Sequence, residues 1–390
     1  MVRDNPSSSP AVIAVAGAYN NKESCMKRRD ILAAAGVGLA ATALAGCQKQ
    51  NESTETQGGA PAETFTWKMV TSWPKNFPGV GVGAERFARL VNEMSNGRLQ
   101  VKIYAAGELV PALEVFDAVS RGTAEMGHGA PYYWKGKVPA AQFFCALPFG
   151  PNAQEMNAWL HYGGGMALWE EVYKPFGVVP FACGATGVQT AGWFNKEINS
   201  VDDFKGLKMR TPGLGGEVLT KMGGTVVNLP AGEIFTALQT GAIDATEWIG
   251  PYNDLALGLH KAAKYYYTPG WQEPNVTFEL TVNQAAWDKL PADLKAIVRA
   301  AARDVNGDVL DDYNARNMEA MEKLKAEGVE VRRLPDAVLA RLREVAAEVV
   351  EASAAADPAA AKVWAQQKAY LKRLRDYAED NEKLIYNIRT

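Results

Sequence analysis

Histidine is almost missing from this 390-residue chain: there are three, His128, His161 and His260. None belongs to an HExxH pair, and there is no Gly-x-Ser-x-Gly elbow, so metalloprotease and serine-hydrolase chemistry lack their parts. Cysteine is also scarce. Of four, Cys25 and Cys47 precede the folded part, leaving Cys145 and Cys183. Both sit among apolar residues, Phe143-Phe144-Cys145-Ala146-Leu147 and Phe181-Ala182-Cys183-Gly184, without the spacing of a metal site. Each reads as a small buried hydrophobe, with a disulfide between them as the alternative. Neither sign of charge dominates: 41 basic against 44 acidic residues leave −3, which excludes the basic footprint of a nucleic-acid binder. No internal repeat suggests a solenoid. The apolar run Ile31 to Ala45 is too short to span a bilayer.

That run has a different use. Lys27-Arg28-Arg29-Asp30 precede it and small residues close it, the pattern of an export signal over residues 1–46 with an effective start at Met26. The arginine pair points to the twin-arginine route, an ordinary secretory signal being the alternative. Leu44-Ala45-Gly46-Cys47 resembles a bacterial lipoprotein box, in which Cys47 would be lipidated and become the mature first residue. Residues 47–63 are polar and small, and read as a flexible tether.

From Phe65 the pattern is α/β. Phe65 to Thr71 reads as a strand, Ala84 to Met94 as a helix with Phe87, Leu90, Val91 and Met94 on one face, and Leu99 to Tyr104 as a strand. The same order returns at Leu207 to Arg210, Gly216 to Met222 and Thr225 to Leu229. Two such regions imply two lobes: 64–189, completed by 282–334 and part of the C-terminal helices, and 190–281. Residues 335–390 read as helices. The last of them carries an apolar stripe, Val363, Trp364, Tyr370, Leu371, Leu374 and Tyr377, which packs either within the chain or against a second copy.

Gly79-Val80-Gly81-Val82-Gly83-Ala84 formally matches a dinucleotide fingerprint. Eight residues, Ser72 to Gly79, separate it from the preceding strand, too many for the tight turn that delivers a pyrophosphate to a helix N-terminus. It reads instead as a flexible loop beside a cleft, with Trp73 and Phe77 lining that cleft or packing beneath it. Arg210 ends a strand and is followed by Thr-Pro-Gly, which presents a guanidinium where open α/β lobes bind ligands; an exposed surface Arg is the alternative. Ala130-Pro131-Tyr132-Tyr133-Trp134 ends a strand of the first lobe, and Tyr132 is the residue expected to close over a ligand. Tyr265-Tyr266-Tyr267 reads as structural, because alternate rings face opposite sides of a strand.

Four segments carry a resemblance: Gly187-Val188-Gln189-Thr190, Lys208-Met209-Arg210-Thr211-Pro212-Gly213, Ala245-Thr246-Glu247-Trp248-Ile249-Gly250-Pro251-Tyr252 and Pro269-Gly270-Trp271-Gln272-Glu273-Pro274. Together they resemble the solute receptors of tripartite ATP-independent periplasmic (TRAP) transporters, most closely the branch that binds 2-oxo acids such as pyruvate. The resemblance implies a two-lobed periplasmic solute-binding fold, type II-like, with a hinge and long C-terminal helices, and no enzymatic activity. It implies that Arg210 pairs with a ligand carboxylate and that Gln189, Trp248 and Glu273 contact the ligand. A second carboxylate at Glu247 would repel an anion unless a cation intervened. The resemblance supplies one, Na⁺ with Ca²⁺ as the alternative, held by Glu247, the Gln189 side chain and the Trp248 carbonyl. It further implies TRAP permease subunits as partners and a possible homodimer. Competing readings are a lactate receptor with Ca²⁺, an exported enzyme with Glu273 as base, and a ligand-sensing protein.

Overall fold

The structure is a computed structural model and describes residues 63–389. The export signal, Cys47 and nearly all of the tether lie outside the described residues.

Eleven strands are found among the described residues: β1 (Phe65–Thr71), β2 (Leu99–Tyr104), β3 (Met126–Gly129), β4 (Val178–Ala185), β5 (Gly192–Phe194), β6 (Lys208–Arg210), β7 (Thr225–Val227), β8 (Ala245–Thr246), β9 (Tyr265–Thr268), β10 (Thr277–Asn283) and β11 (Glu330–Arg333). They build two sheets, β2-β1-β3-β10-β4 and β11-β9-β5-β8-β6-β7. In the first, β1 runs parallel to β2 and β3, while β10 is antiparallel to β3 and β4. In the second, β6 lies parallel between β7 and β8. The expected α/β character and the helical C-terminal region are both present.

The helix joining β1 to β2 is Val80–Met94, and it buries Val80, Ala84, Phe87 and Val91 at helical spacing. The glycine run is thus not a flexible loop: Val80 to Gly83 form the first turn. The glycines serve close packing, since a Cβ on Gly83 would stand 2.7 Å from Val309 Cγ2 on the helix Ala292–Ala326.

Two neighbouring segments carry the chain between the sheets. Thr186 N–H donates to the Val276 carbonyl (3.1 Å), Gln189 N–H to Glu273 (3.3 Å) and Ala191 N–H to Tyr267 (2.9 Å). The return crossing is therefore complete before Thr277, and β10 belongs to the first sheet, not to a second lobe ending at 281. Its buried Phe278, Leu280 and Val282 fill the slot between β3 and β4. Conversely, Glu330–Arg333 does not complete the first lobe; it pairs parallel with β9 at the edge of the second sheet. Its charged, half-exposed residues disguise it within a helical stretch.

The helix Ala292–Ala326 has 35 residues, about 52 Å of rise, and packs on β4 and Val80–Met94 as well as on Pro251–Ala256 of the second lobe. Further on, Asp336–Ala355 packs on Gly213–Lys221 of the second lobe, and Pro358–Asp380 on Ala153–Tyr162 of the first. Val363 and Leu371 of the apolar stripe are buried within the chain and Tyr377 is exposed. Cys145 and Cys183 are free, buried thiols.

Candidate functional site

Because β6 and β8 run parallel with Arg210 opposite Thr246, Arg210 and Glu247 emerge together at the carboxyl ends of adjacent strands, and Glu247 N–H donates to the Arg210 carbonyl (3.2 Å). Three bonds fix the guanidinium: Nε to the Leu229 carbonyl (3.1 Å), and Nη1 to both the Glu247 carbonyl (3.0 Å) and Glu247 Oε1 (2.5 Å). The guanidinium carbon stands 4.9 Å above the Trp248 ring. Arg210 is 1% exposed and Glu247 0%. Half of this ion pair is left open, since Arg210 Nη2 and Glu247 Oε2 are buried without a partner. Such atoms are costly unless something completes them.

The crossing segments deliver Gln189 and Glu273. Gln189 Nε2 donates to Thr186 Oγ1 (3.4 Å), while its Oε1 and Glu273 Oε2 are buried and unpartnered. A glycine is needed beside them: a Cβ on Gly270 would lie 2.4 Å from the Gln189 carbonyl carbon and oxygen. The first lobe contributes the turn Pro131–Trp134 after β3, with Tyr132 buried. Tyr132 packs over Gly213, whose φ of +61° and missing side chain accommodate the ring, 3.2 Å from where a Cβ would sit. Tyr132, Gln189, Arg210, Glu247, Trp248 and Glu273 are thus all brought into one buried centre.

Electrostatics mark the same centre. Burial pushes the Glu247 carboxyl up to about 7, Arg210 pulling it down and Asp254 pushing it further up. Glu273 is driven well above the carboxylate range by burial and by the Glu247 charge, against the pull of Arg210, Gln189 and Tyr132. Tyr132 is raised by burial and by Glu273. Asp254, which sequence reasoning missed, is raised by burial to about 7 while accepting from Tyr266 Oη (2.7 Å) and Trp193 Nε1 (3.1 Å).

The lobes meet around the centre. On one side Lys135 Nζ donates to the Gly213 carbonyl (3.3 Å) and to Glu217 Oε1 (2.6 Å), while Ser353 Oγ donates to Glu217 Oε2 (2.5 Å). On the other, Asn253 Nδ2 donates to the Pro78 carbonyl (3.1 Å) and Asn253 Oδ1 accepts from Tyr313 Oη (2.9 Å). Trp248 meets Trp73 and Phe77 of the first lobe edge to face, at 6.4 and 6.2 Å between centroids.

The open donors fit a hard cation. Gln189 Oε1 and Glu247 Oε2 are oxygens without partners, and the Trp248 carbonyl follows Glu247 in the chain. Among the described residues no group of three or more His, Cys, Asp and Glu side chains forms a metal site.

A family model, DctP, described as bacterial extracellular solute-binding protein, family 7, matches residues 69–357. The chain is 46% identical over 357 residues, 92% of its length and 97% of the other's, to a monocarboxylate 2-oxoacid-binding periplasmic protein of a Nostoc species. A TRAP periplasmic solute-binding protein from Pseudoalteromonas atlantica, solved with bound sodium and pyruvate, superposes with TM-score 0.81 and 41% identity over 84% of this chain and 99% of that one. A TRAP transporter solute-binding protein from Bordetella bronchiseptica superposes with TM-score 0.82 and 37% identity over 83% of this chain and 97% of that one. It is described as a mixed-occupancy dimer with calcium and picolinate in one site.

Proposed function

The chain belongs to family 7 of the bacterial extracellular solute-binding proteins, and from that membership we propose that it is the periplasmic receptor of a TRAP-type transporter for a small 2-oxo monocarboxylate such as pyruvate. One observation carries this reading: a buried Arg210 whose Nη2 is unpartnered, inside a centre where Gln189, Glu247 and Glu273 also hold open acceptor atoms. The ligand carboxylate would accept from Arg210 Nη2, and Tyr132, Trp248 and Glu273 would enclose the rest of the molecule. A single carboxylate suits the one open guanidinium nitrogen.

Gln189, Glu247 and the Trp248 carbonyl would hold the cation. When bound, it supplies the positive charge that lets two carboxylates share one centre. Sodium stands with pyruvate in the Pseudoalteromonas protein and calcium with picolinate in the Bordetella protein; we favour Na⁺, with Ca²⁺ as the alternative. No residue here is assigned a catalytic role. Binding would stabilise the closed form by adding contacts between the lobes through the ligand, and the closed receptor would deliver it to TRAP permease subunits. A lipid on Cys47 would keep it near the membrane. A homodimer is supported by the dimeric Bordetella relative and by exposed Leu384, Ile385, Tyr386 and Ile388 at the C-terminal end.

Titration calorimetry tests the reading. Protein refolded to strip bound ligand should take up pyruvate with one-to-one stoichiometry, more tightly with Na⁺ or Ca²⁺. Arg210→Ala should weaken binding on the order of 100-fold, since truncating one partner of a buried charged pair typically costs that much. Heat-silent titration with every 2-oxo acid, cation present, would overturn it.

A further inference from the structure

Trp73 lies two residues past the carboxyl end of β1, on the side of the first sheet that faces the second lobe. Its indole is buried, and Nε1–H donates to His128 Nδ1 at 2.7 Å. His128 is buried in β3, in register with Thr71 of β1, and its Nε2 faces the Cys183 carbonyl at 2.8 Å. A donor N–H facing Nδ1 and a carbonyl facing Nε2 select one tautomer, with the proton on Nε2.

The Cys183 carbonyl is available because β4 bulges there. Opposite β10 the register passes from Ala182–Glu279 to Ala185–Thr277, so Cys183 and Gly184 face one residue. The bulge is itself satisfied: Gly184 N–H donates to Asn306 Oδ1 (3.1 Å), and Asn306 Nδ2 to Asn157 Oδ1 (2.9 Å). A chain of directed bonds thus runs from the long helix through the bulge and His128 to one indole. That indole stands edge-on to Trp248 and 6.2 Å from the Tyr133 ring.

We propose that Trp73 is a specificity-determining wall that limits how long a carbon chain the site accepts, and that His128 is the positioning residue that holds this wall. The inference rests on the 2-oxo acid reading and deepens it. Arg210 and the cation donors all come from the second lobe and the crossing segments, so they fix the carboxylate and 2-oxo end. The alkyl end is then left to Trp248 and the aromatic rings of the first lobe. Among these, Trp73 is gripped by a hydrogen bond as well as by packing, and a gripped ring cannot swing aside for extra methylenes.

The test is a calorimetric series with pyruvate, 2-oxobutanoate and 2-oxopentanoate on the parent protein, Trp73→Leu, Trp73→Phe, His128→Leu and His128→Asn, with folding checked by thermal melting. The parent should favour pyruvate. Trp73→Leu should lower the ratio of the 2-oxopentanoate to the pyruvate dissociation constant by about 10-fold or more, the scale of one or two methylenes in a tight pocket. Trp73→Phe, the milder change, should move it the same way by less. His128→Leu should relax the ratio too, whereas His128→Asn, which keeps an acceptor for the indole, should restore much of it. An unchanged ratio in both Trp73 variants, or equal weakening toward all three acids, would sink the wall while leaving the receptor reading intact. A parent silent toward every acid would sink both.

Discussion

Arg210 commits Nε and Nη1 to the protein and leaves Nη2 buried without a partner, the atom that the proposed reading gives to the ligand carboxylate. The local sequence, a strand ending in Arg-Thr-Pro-Gly, placed this residue at a strand end but left a surface side chain as an equal alternative; the resemblance favoured the cleft, and the burial of Arg210 agrees. His128 was not legible, since both its partners, Trp73 and Cys183, lie 55 residues away, and the decisive bulge leaves no mark in composition. It has a pH signature, however. Burial pushes its pKa from the ordinary 6.5 down to about 4, the Cys183 carbonyl opposing. An unfolded chain takes up this proton near 6.5, the native one only near 4. The neutral ring's contribution is therefore fully present above pH 6.5 and is lost as pH falls toward 4, by about 3 kcal/mol in all. Asp254, raised by burial to about 7, acts in the opposite sense over the same window, so the informative quantity is a difference. His128→Asn should narrow its stability gap to the parent as pH falls from 6.5 to 4.5, read by denaturant unfolding at each pH.

Among the elements, β1, β2 and the helix between them followed from period and length alone. The glycine run misled because glycine serves a loop and a close helix contact equally well, and only the partner, here Val309, distinguishes them. β11 was hidden because a four-residue charged edge strand has no hydrophobic alternation to read. The crossing segments show a third case: their pairing depends on two backbones meeting, which no single stretch of sequence encodes. Gly270 marks that meeting. A Cβ there would press on the Gln189 backbone, not on a side chain that could turn away, so Gly270→Ala should cost about 1–3 kcal/mol or more. Thermal unfolding checks the loss of stability. Because the displaced group is Gln189, calorimetry should also find the cation dependence of ligand binding reduced.

For the whole molecule, the contacts outside the binding centre set how easily the lobes part. Lys135 and Glu217 bridge them at a partly exposed position, side chains 37% and 34% accessible, where such a pair contributes modestly and is weakened by salt. Lys135→Ala should therefore raise the dissociation constant by only about 2–5-fold, and by the same factor for every acid, in contrast to the uneven effect expected at Trp73. Solution scattering of the ligand-free variant should give a larger radius of gyration than the parent.

The burial of Arg210 and Glu247, 1% and 0% exposed, also governs time. No acid can enter or leave while the lobes are shut, so the rate of capture stops rising with concentration once it matches the rate of opening. The hinge and the bridges across the cleft set a ceiling on capture that every acid shares. Departure is individual, because each acid adds its own contacts between the lobes, so acids of different affinity would differ mainly in how long they stay.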